Sequence, residues 1–384
     1  MRFLCAILHY VDGFFIFYIY RRILMAIEKL HIETFLALSV QKPVLDVRSP
    51  SEYKHAHIPG AYNLPLFTDE ERRVVGTTYK QNSREAAIKI GLDYFGPKMR
   101  SIVQEAEDLV TSRNKNGNDG APANKIVLLH CWRGGMRSAA IAWLLDLYGF
   151  KVYTLTGGYK RFRNYVLETF SLPFQFTIIG GYTGSGKTEV LNVLAKQEHP
   201  AIDLEHLAGH KGSAFGNLGL PAQPSQEMFE NKLAIELRKY QSATENIWLE
   251  DESQRIGTVN IPQAMWLQMR TTFVYFLDIP FEERLLYITN WYGKQDKEKM
   301  INAIIRIKKR LGGLETKTAV NYLLEENVTE CFRVLLKYYD KYYLKSLQQR
   351  PHFTELLKTL PSDKVDEIAN AKNIMNQFQK VIST

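Results

Sequence analysis

The chain has 384 residues, 45% hydrophobic and 23% charged, with Lys+Arg 49, Asp+Glu 41 and a net charge of +8. At roughly 100–200 residues per domain, this length suggests two domains. The composition excludes a disordered, collagen-like or coiled-coil chain, and the mild positive excess suits a polyanionic partner without requiring one.

Residues 1–24 are apolar and aromatic but interrupted by Asp12 and Gly13. The longest unbroken run, 14–20, falls short of the roughly 20 apolar residues a membrane helix needs. No clear cleavage site marks a signal peptide. The stretch is read as an extension with Met25 as the expected start; a weak anchor or a packed helix is the alternative. From Met25 onward the pattern is α/β. A helical segment, 27–38, precedes an apolar strand at 43–46. A turn-rich segment covers 56–61, and 83–90 has helical composition. A polar Gly/Asn loop occupies 113–124. The run 125–130 reads as a buried strand, 138–147 as a helix by period, and 152–155 as a strand closed by Gly157 and Gly158. Such alternation predicts a parallel sheet with helices outside.

A second α/β unit starts at Phe174, with strands expected at 176–179, 201–203, 247–249 and 273–277. After Pro280 the sequence looks helical to the end, broken near Gly312–Gly313, Pro351 and Pro361. The boundary is expected at 168–173, giving domains 25–168 and 174–384.

Three cysteines, Cys5, Cys131 and Cys331, are too few and too widely spaced for a disulfide framework or a cysteine zinc site. They suit a reducing, cytoplasmic setting. Cys131 stands apart. It follows the buried strand directly and opens Cys131-Trp-Arg-Gly-Gly-Met-Arg137, five residues separating cysteine from arginine. Such a loop can turn its N–H groups around an anion, with a helix N-terminus adding positive potential. That field favours the thiolate. Gly134 and Gly135 permit the loop's backbone. Arg133 and Arg137 offer forked contacts to a tetrahedral anion. A buried structural cysteine is the alternative, and the glycines and arginines argue against it.

The second motif, Gly181-Tyr-Thr-Gly-Ser-Gly-Lys-Thr188, fits G-x-x-x-x-G-K-[ST] between a predicted strand and a predicted helix. Its N–H groups, including those at Gly181, Gly184, Ser185 and Gly186, would cradle phosphates. Lys187 would neutralise the outer oxygens, and Thr188 could hold Mg²⁺. Glu250 or Asp251, ending a probable strand, could serve as the Mg²⁺-side acid. Asp203 is a weaker candidate. No dedicated protein metal site and no organic prosthetic group are expected.

Arg306, Lys308, Lys309 and Arg310 form a basic run, and Arg333, Lys337, Lys341 and Lys345 recur every four residues. On a helix the latter make one slowly drifting stripe, flanked by Tyr338, Tyr339, Tyr342 and Tyr343. Basic stripes track phosphate backbones and tyrosines stack unpaired bases. A solvated face over packed tyrosines is the plainer alternative.

Asp46-Val-Arg48, Glu52, His57-Ile-Pro-Gly-Ala61 and the Cys131 loop together resemble a rhodanese domain, which carries sulfur or selenium on its cysteine. The loop is longer than the usual rhodanese loop. His130-Cys131…Arg137 also matches the H-C-x5-R pattern of rhodanese-fold phosphatases. Followed by a P-loop domain with a helical C-terminal region, the whole resembles the tRNA 2-selenouridine synthase family. Further matching segments are Gly76-Thr-Thr-Tyr-Lys80, Ser83-Arg-Glu-Ala-Ala87, Gly157-Gly-Tyr-Lys160, His210-Lys-Gly-Ser-Ala-Phe-Gly216, Pro224-Ser-Gln226 and Glu250-Asp-Glu-Ser253. The resemblance implies a tRNA substrate whose wobble 2-thiouridine, position 34, exchanges sulfur for selenium. It implies selenophosphate as donor, and a geranylated intermediate made from geranyl diphosphate. Under it, Cys131 handles selenium, the Cys131 loop binds the donor, the P-loop binds diphosphate and the basic helices hold tRNA, with no stable membrane association. A rhodanese-fold phosphatase or sulfurtransferase fused to a small-molecule kinase stays open beside it, as does an RNA-binding phosphate sensor.

Overall fold

The computed structural model describes residues 27–115, 125–241, 246–293 and 295–382. The 1–24 extension and most of the polar loop, 116–124, lie outside them. The chain separates into two compact units, Met1–Val166 and Leu167–Thr384. Both are parallel-sheet α/β, as expected.

In the first unit, strands β1 (Glu28–Leu30), β2 (Val44–Asp46), β3 (Tyr62–Asn63), β4 (Ile126–His130) and β5 (Lys151–Leu155) are ordered β1-β5-β4-β2-β3. Every pairing is parallel. Central β4 is covered on both faces, which its unbroken apolar run requires. Leu45, Val127, Leu129, Ile141, Phe150 and Val152 form its fully buried core, each contributing about 1.5–3 kcal/mol by leaving water.

Four local features of this unit differ from expectation. Glu28–Leu30 is an edge strand because it finds a parallel partner in Tyr153–Leu155. The helix starts only at Ile32 and runs to Ser39. Helix Asp69–Gln81 was not expected, although a capping box announces it. Thr68 Oγ1 accepts from Glu71 N, and Glu71 returns the bond to Thr68 N. Helix Met99–Lys115 likewise extends into the segment read as the start of a loop.

In the second unit, β6 (Phe176–Gly181), β7 (Ala201–Ile202), β8 (Ile247–Glu250), the short antiparallel pair β9 (Arg255–Ile256) and β10 (Val259–Asn260), β11 (Val274–Asp278) and β12 (Leu357–Pro361) are the strands. The main sheet is ordered β12-β11-β6-β8-β7 and is parallel throughout. The chain passes from β6 over β8 to β7, and later places β11 on the other side of β6. The carboxyl end of β6 is therefore a topological switch point, where α/β sheets bind ligands. β12 corrects the expectation of an all-helical C-terminus. It pairs with β11 from Leu357 to Pro361, at an edge where proline is tolerated. The last helix, Glu367–Ile382, packs back on Lys187–Lys196.

Between β11 and β12, helices Phe281–Tyr292, Lys297–Arg306, Lys308–Leu311, Gly313–Leu324 and Val328–Gln348 enclose their own core of Leu285, Ile304, Leu323, Phe332 and Leu335. Among the described residues no helix is long and apolar enough to cross a membrane.

Candidate functional site

Cys131 leaves the end of β4 at 3% exposure, and the loop 132–136 after it is exposed. The loop rests on the turn before helix Gly158–Thr169. Tyr159 N donates to Cys131 O at 2.8 Å and Lys160 N to Trp132 O at 2.9 Å. The approach is so close that a Cβ on Gly158 would lie 2.4 Å from Cys131 O, and Gly158 sits at φ +59°. No other residue fits there, which accounts for Gly157-Gly-Tyr-Lys160 beside the cysteine.

The sulfur accepts from Gly135 N at 3.3 Å and lies 3.2 Å from Ser138 Oγ. Burial pushes the thiol up, but the Ser138 hydroxyl and the N–H groups of Ser138, Gly135 and Arg133 outweigh it and leave it below the ordinary cysteine value. This is how a loop at a helix start prepares a thiolate. Both cysteines border apolar cores, but at Cys331 burial acts alone and pushes the thiol up to about 12.

Arg133, Gly134 and Gly135 are exposed. Arg137 is engaged: its guanidinium donates to Glu52 at 2.6 and 3.3 Å. Burial raises the Glu52 carboxyl, and the Arg137 fork more than offsets this. Asp46 and Arg48 lie beneath, as a buried brace. Arg48 donates to both Asp46 oxygens at 2.6–3.0 Å and to Ala56 O at 2.7 Å, and its guanidinium sits 3.8 Å over the Tyr159 ring. His130 is fully buried and burial lowers its pKa, so it is a neutral core ring rather than an acid. Arg72, on helix Asp69–Gln81, reaches the same neighbourhood, 3.9 Å from Glu52. Missing that helix hid this arginine.

In the second unit the P-loop joins β6 to helix Lys187–Lys196, with Gly184 and Gly186 at φ +84° and +71°. Lys187 Nζ donates to Gly181 O at 3.0 Å. Thr188 Oγ1 donates to Glu250 at 2.9 Å, and Glu205 N donates to the other Glu250 oxygen at 3.1 Å. Asp251, the other candidate acid, faces elsewhere. It accepts from Tyr343 OH at 2.7 Å and from Arg350. Tyr343 OH in turn accepts from Gly181 N at 3.1 Å. Asp251 thus braces the loop from behind, and Glu250 is the acid on the Thr188 side. Asp203 caps helix Leu204–Ala208 through His206 N.

Glu205, Glu250 and Glu252 bring one oxygen each within 4.8 Å of one another. Burial and then mutual repulsion push Glu205 up to about 9 and Glu252 up to about 8, and raise Glu250 as well. Three hard oxygen donors beside the P-loop threonine are the set that a hard divalent cation takes. Sequence reading missed Glu205 and Glu252, because they come together only when β7 and β8 pair.

The P-loop opens on a cavity of about 330 Å³ lined by Lys187, Thr188, Glu205 and Lys211 together with aromatic side chains. Tyr287, Ile288, Trp291 and Tyr292 come from one helix, Tyr339 and Tyr342 from another. Lys211, from the His210–Gly216 segment, places Nζ 3.2 Å over the Trp291 ring. Tyr343, expected as a stacking residue, is instead the half-buried brace of the loop.

Lys337, Lys341 and Lys345 are exposed on helix Val328–Gln348, as are Arg306, Lys308, Lys309 and Arg310. Tyr342 OH donates to Arg310 O at 3.4 Å, so the two basic groups adjoin. Arg333 differs from the others. It is forked onto Glu282 and also holds Glu330.

Comparison with known proteins agrees with this architecture. Residues 32–165 match the rhodanese-like domain model and residues 174–373 the model described as the tRNA 2-selenouridine synthase AAA domain. Curated relatives named tRNA 2-selenouridine synthase include one from Nitrosomonas europaea, 33% identical, covering 80% of this chain and 90% of the relative. One from Shewanella halifaxensis is 33% identical over 85% and 94% of the two chains. One from Pseudomonas putida is 36% identical over 71% and 75%. With a cysteine loop on one sheet, a P-loop on the next, and both domain models matched, this chain belongs to the tRNA 2-selenouridine synthase family.

Proposed function

We propose that this protein replaces the sulfur of 2-thiouridine at tRNA position 34 with selenium from selenophosphate, by way of a geranylated intermediate. The observation that carries the reading is the pairing, in one chain, of a thiolate-favouring oxyanion loop with a P-loop cavity walled by aromatic rings. The P-loop and Lys187 receive the diphosphate of geranyl diphosphate. The wall of Tyr287, Ile288, Trp291 and Tyr292 receives its apolar tail. The thiocarbonyl sulfur attacks the first geranyl carbon, and diphosphate leaves with the bonding pair. Alkylation makes that sulfur a leaving group. Selenium then attacks C2, geranyl thiolate departs, and water cleaves the Se–P bond to release phosphate. No electrons are gained or lost overall.

Cys131, supported by Gly135 N and Ser138 Oγ, serves the selenium step. Gly134, Gly135, Arg133 and Arg137 hold the donor. Exposed Arg306, Lys308, Lys309, Arg310, Lys337, Lys341 and Lys345 track the tRNA backbone, with Arg333 bracing the helix that carries Lys337, Lys341 and Lys345. The free thiol suits a reducing cytoplasm.

Mg²⁺ fits Thr188, Glu205, Glu250 and Glu252, where it would supply positive charge to the leaving diphosphate. Because Glu205 and Glu252 are pushed up to about 9 and 8, they carry protons at neutral pH. Cation binding must expel them. Mg²⁺ titration of the tRNA-free protein at pH 7 is expected to release protons, and affinity to rise from pH 6 to pH 9. The folded-state rise also costs stability as pH climbs from about 4.5 through those values. Melting temperature without Mg²⁺ should fall over that range, and less steeply in Glu252→Gln. Flat proton release would remove the acids from the metal site.

The reading is tested by nucleoside mass spectrometry of 2-thiouridine tRNA incubated with protein, geranyl diphosphate and selenophosphate. The expected product is 2-selenouridine, and omission of selenophosphate should leave S-geranyl-2-thiouridine. Unchanged 2-thiouridine with folded protein, or phosphate release independent of tRNA, would overturn it.

A further inference from the structure

Arg137, the arginine expected to meet the donor anion, is already occupied by Glu52 at 2.6 and 3.3 Å. A second arginine faces the same carboxylate. Arg72 comes to 3.9 Å from Glu52, and its buried Nε has no hydrogen-bond partner. A buried N–H without an acceptor is unfavourable unless something supplies one. Burial and the charge of Arg137 disfavour the Arg72 cation, while Glu52 and the Cys131 sulfur favour it. Its guanidinium lies back along its own helix against Gly76, where a Cβ would stand 2.5 Å from Nη1. One carboxylate therefore sits between two arginines, one of them on the Cys131 loop side and the other within electrostatic reach of the prepared sulfur. Glu52 also accepts from Ser49 N at 3.1 Å, so it keeps a partner if the arginines turn away.

We propose that Arg72 is a second anion-binding residue of the Cys131 site, taking a tetrahedral phosphate-class oxyanion, and that Glu52 is the resident counter-ion this anion displaces. That the oxyanion is selenophosphate rests on the function proposed above; the binding itself does not. Before binding, two arginines offset Glu52 and the thiolate. A multiply charged oxyanion needs both guanidinium forks, and its oxygens supply the acceptor Arg72 Nε lacks. Glu52 competes for the same donors and sets the affinity lower than two free arginines would.

The test is alkylation of Cys131 by iodoacetamide in the full-length protein, followed on the Cys131 peptide by mass spectrometry, with orthophosphate as the probe. Orthophosphate is expected to protect the wild type. Arg72→Gln should need about tenfold more phosphate for half-protection, Arg72→Lys an intermediate amount, and Glu52→Gln about tenfold less. The alkylation midpoint should move to higher pH in Arg72→Gln and lower pH in Glu52→Gln, opposite signs that a merely structural role would not give. Arg73→Gln is the control, since Arg73 points to exposed Glu70, and should match the wild type. No protection of the wild type, equal protection in Arg72→Gln, or equal protection in Arg72→Lys and Glu52→Gln where Arg72→Gln does not fold, would each overturn the proposal. So would protection by unmodified tRNA but not by orthophosphate, which would assign the site to an RNA backbone. Neither selenium nor 2-thiouridine is needed, so loss of the selenation reading would leave this result standing.

Discussion

Lys187→Ala is expected to slow formation of S-geranyl-2-thiouridine about 10²–10³-fold, the cost of removing one preorganised charge from a developing anion. The cavity makes this residue unusually important. Lys187 and Lys211 line it together with Glu189, Glu205, Glu250 and Glu252, so a diphosphate enters among more acids than bases. Lys187 is the cation on the P-loop itself. Its present acceptors are the loop carbonyls of Gly181 and Tyr182, at 3.0 and 3.5 Å. Those bonds are exchangeable for phosphate oxygens, whereas the fold of the loop rests on Tyr343, on Asp251 and on the Ser185 hydroxyl, which donates to Tyr182 O at 2.8 Å. The variant should therefore keep its melting temperature. It should also convert tRNA supplied already geranylated at nearly the wild-type rate, because that step uses the other site. Equal geranylation by Lys187→Ala would separate the P-loop from the alkylation chemistry.

The two motifs were legible in the sequence because each is local. A strand, a short loop and a helix in succession fix both the Cys131 loop and the P-loop, and no distant residue is needed to recognise them. What escaped reading is what the sheets assemble. Glu205, Glu250 and Glu252 converge only once β7 lies beside β8. Asp251 and Glu250 are adjacent in sequence and looked equivalent. Alternation along the chain sends one to Thr188 and the other to Tyr343 and Arg350. β12 carries little strand signal of its own and exists because β11 offers an open edge. Arg72 was hidden for a different reason. The capping box at Thr68 and Glu71 was readable, and the helix it starts would have put Arg72 in view. The basic helix was half legible: its lysines are exposed, but Tyr343 and Arg333 have structural partners that periodicity does not reveal.

Cys131→Ser should do the reverse of Lys187→Ala: geranylated tRNA accumulates, and 2-selenouridine falls about 10³-fold or more. Serine is nearly isosteric, so Gly135 N and Ser138 Oγ keep a partner and the loop keeps its seat on Gly158. What disappears is an atom that ionises. The thiol is held below its ordinary value by those hydrogen bonds despite burial, and a serine hydroxyl in the same place remains protonated. The wild-type selenation rate should accordingly fall as pH drops through the lowered thiol value, with its midpoint below the ordinary cysteine range. Geranylation, which does not use the thiolate, should lack that limb when Mg²⁺ is kept saturating across the pH range, so that protonation of Glu205 and Glu252 does not limit it. The two rates measured across pH on the same protein thus separate a working thiolate from a buried structural cysteine. A buried structural cysteine predicts parallel pH profiles for both steps and a serine variant that still makes 2-selenouridine. Loss of selenation alone, with the acid limb confined to it, requires the sulfur.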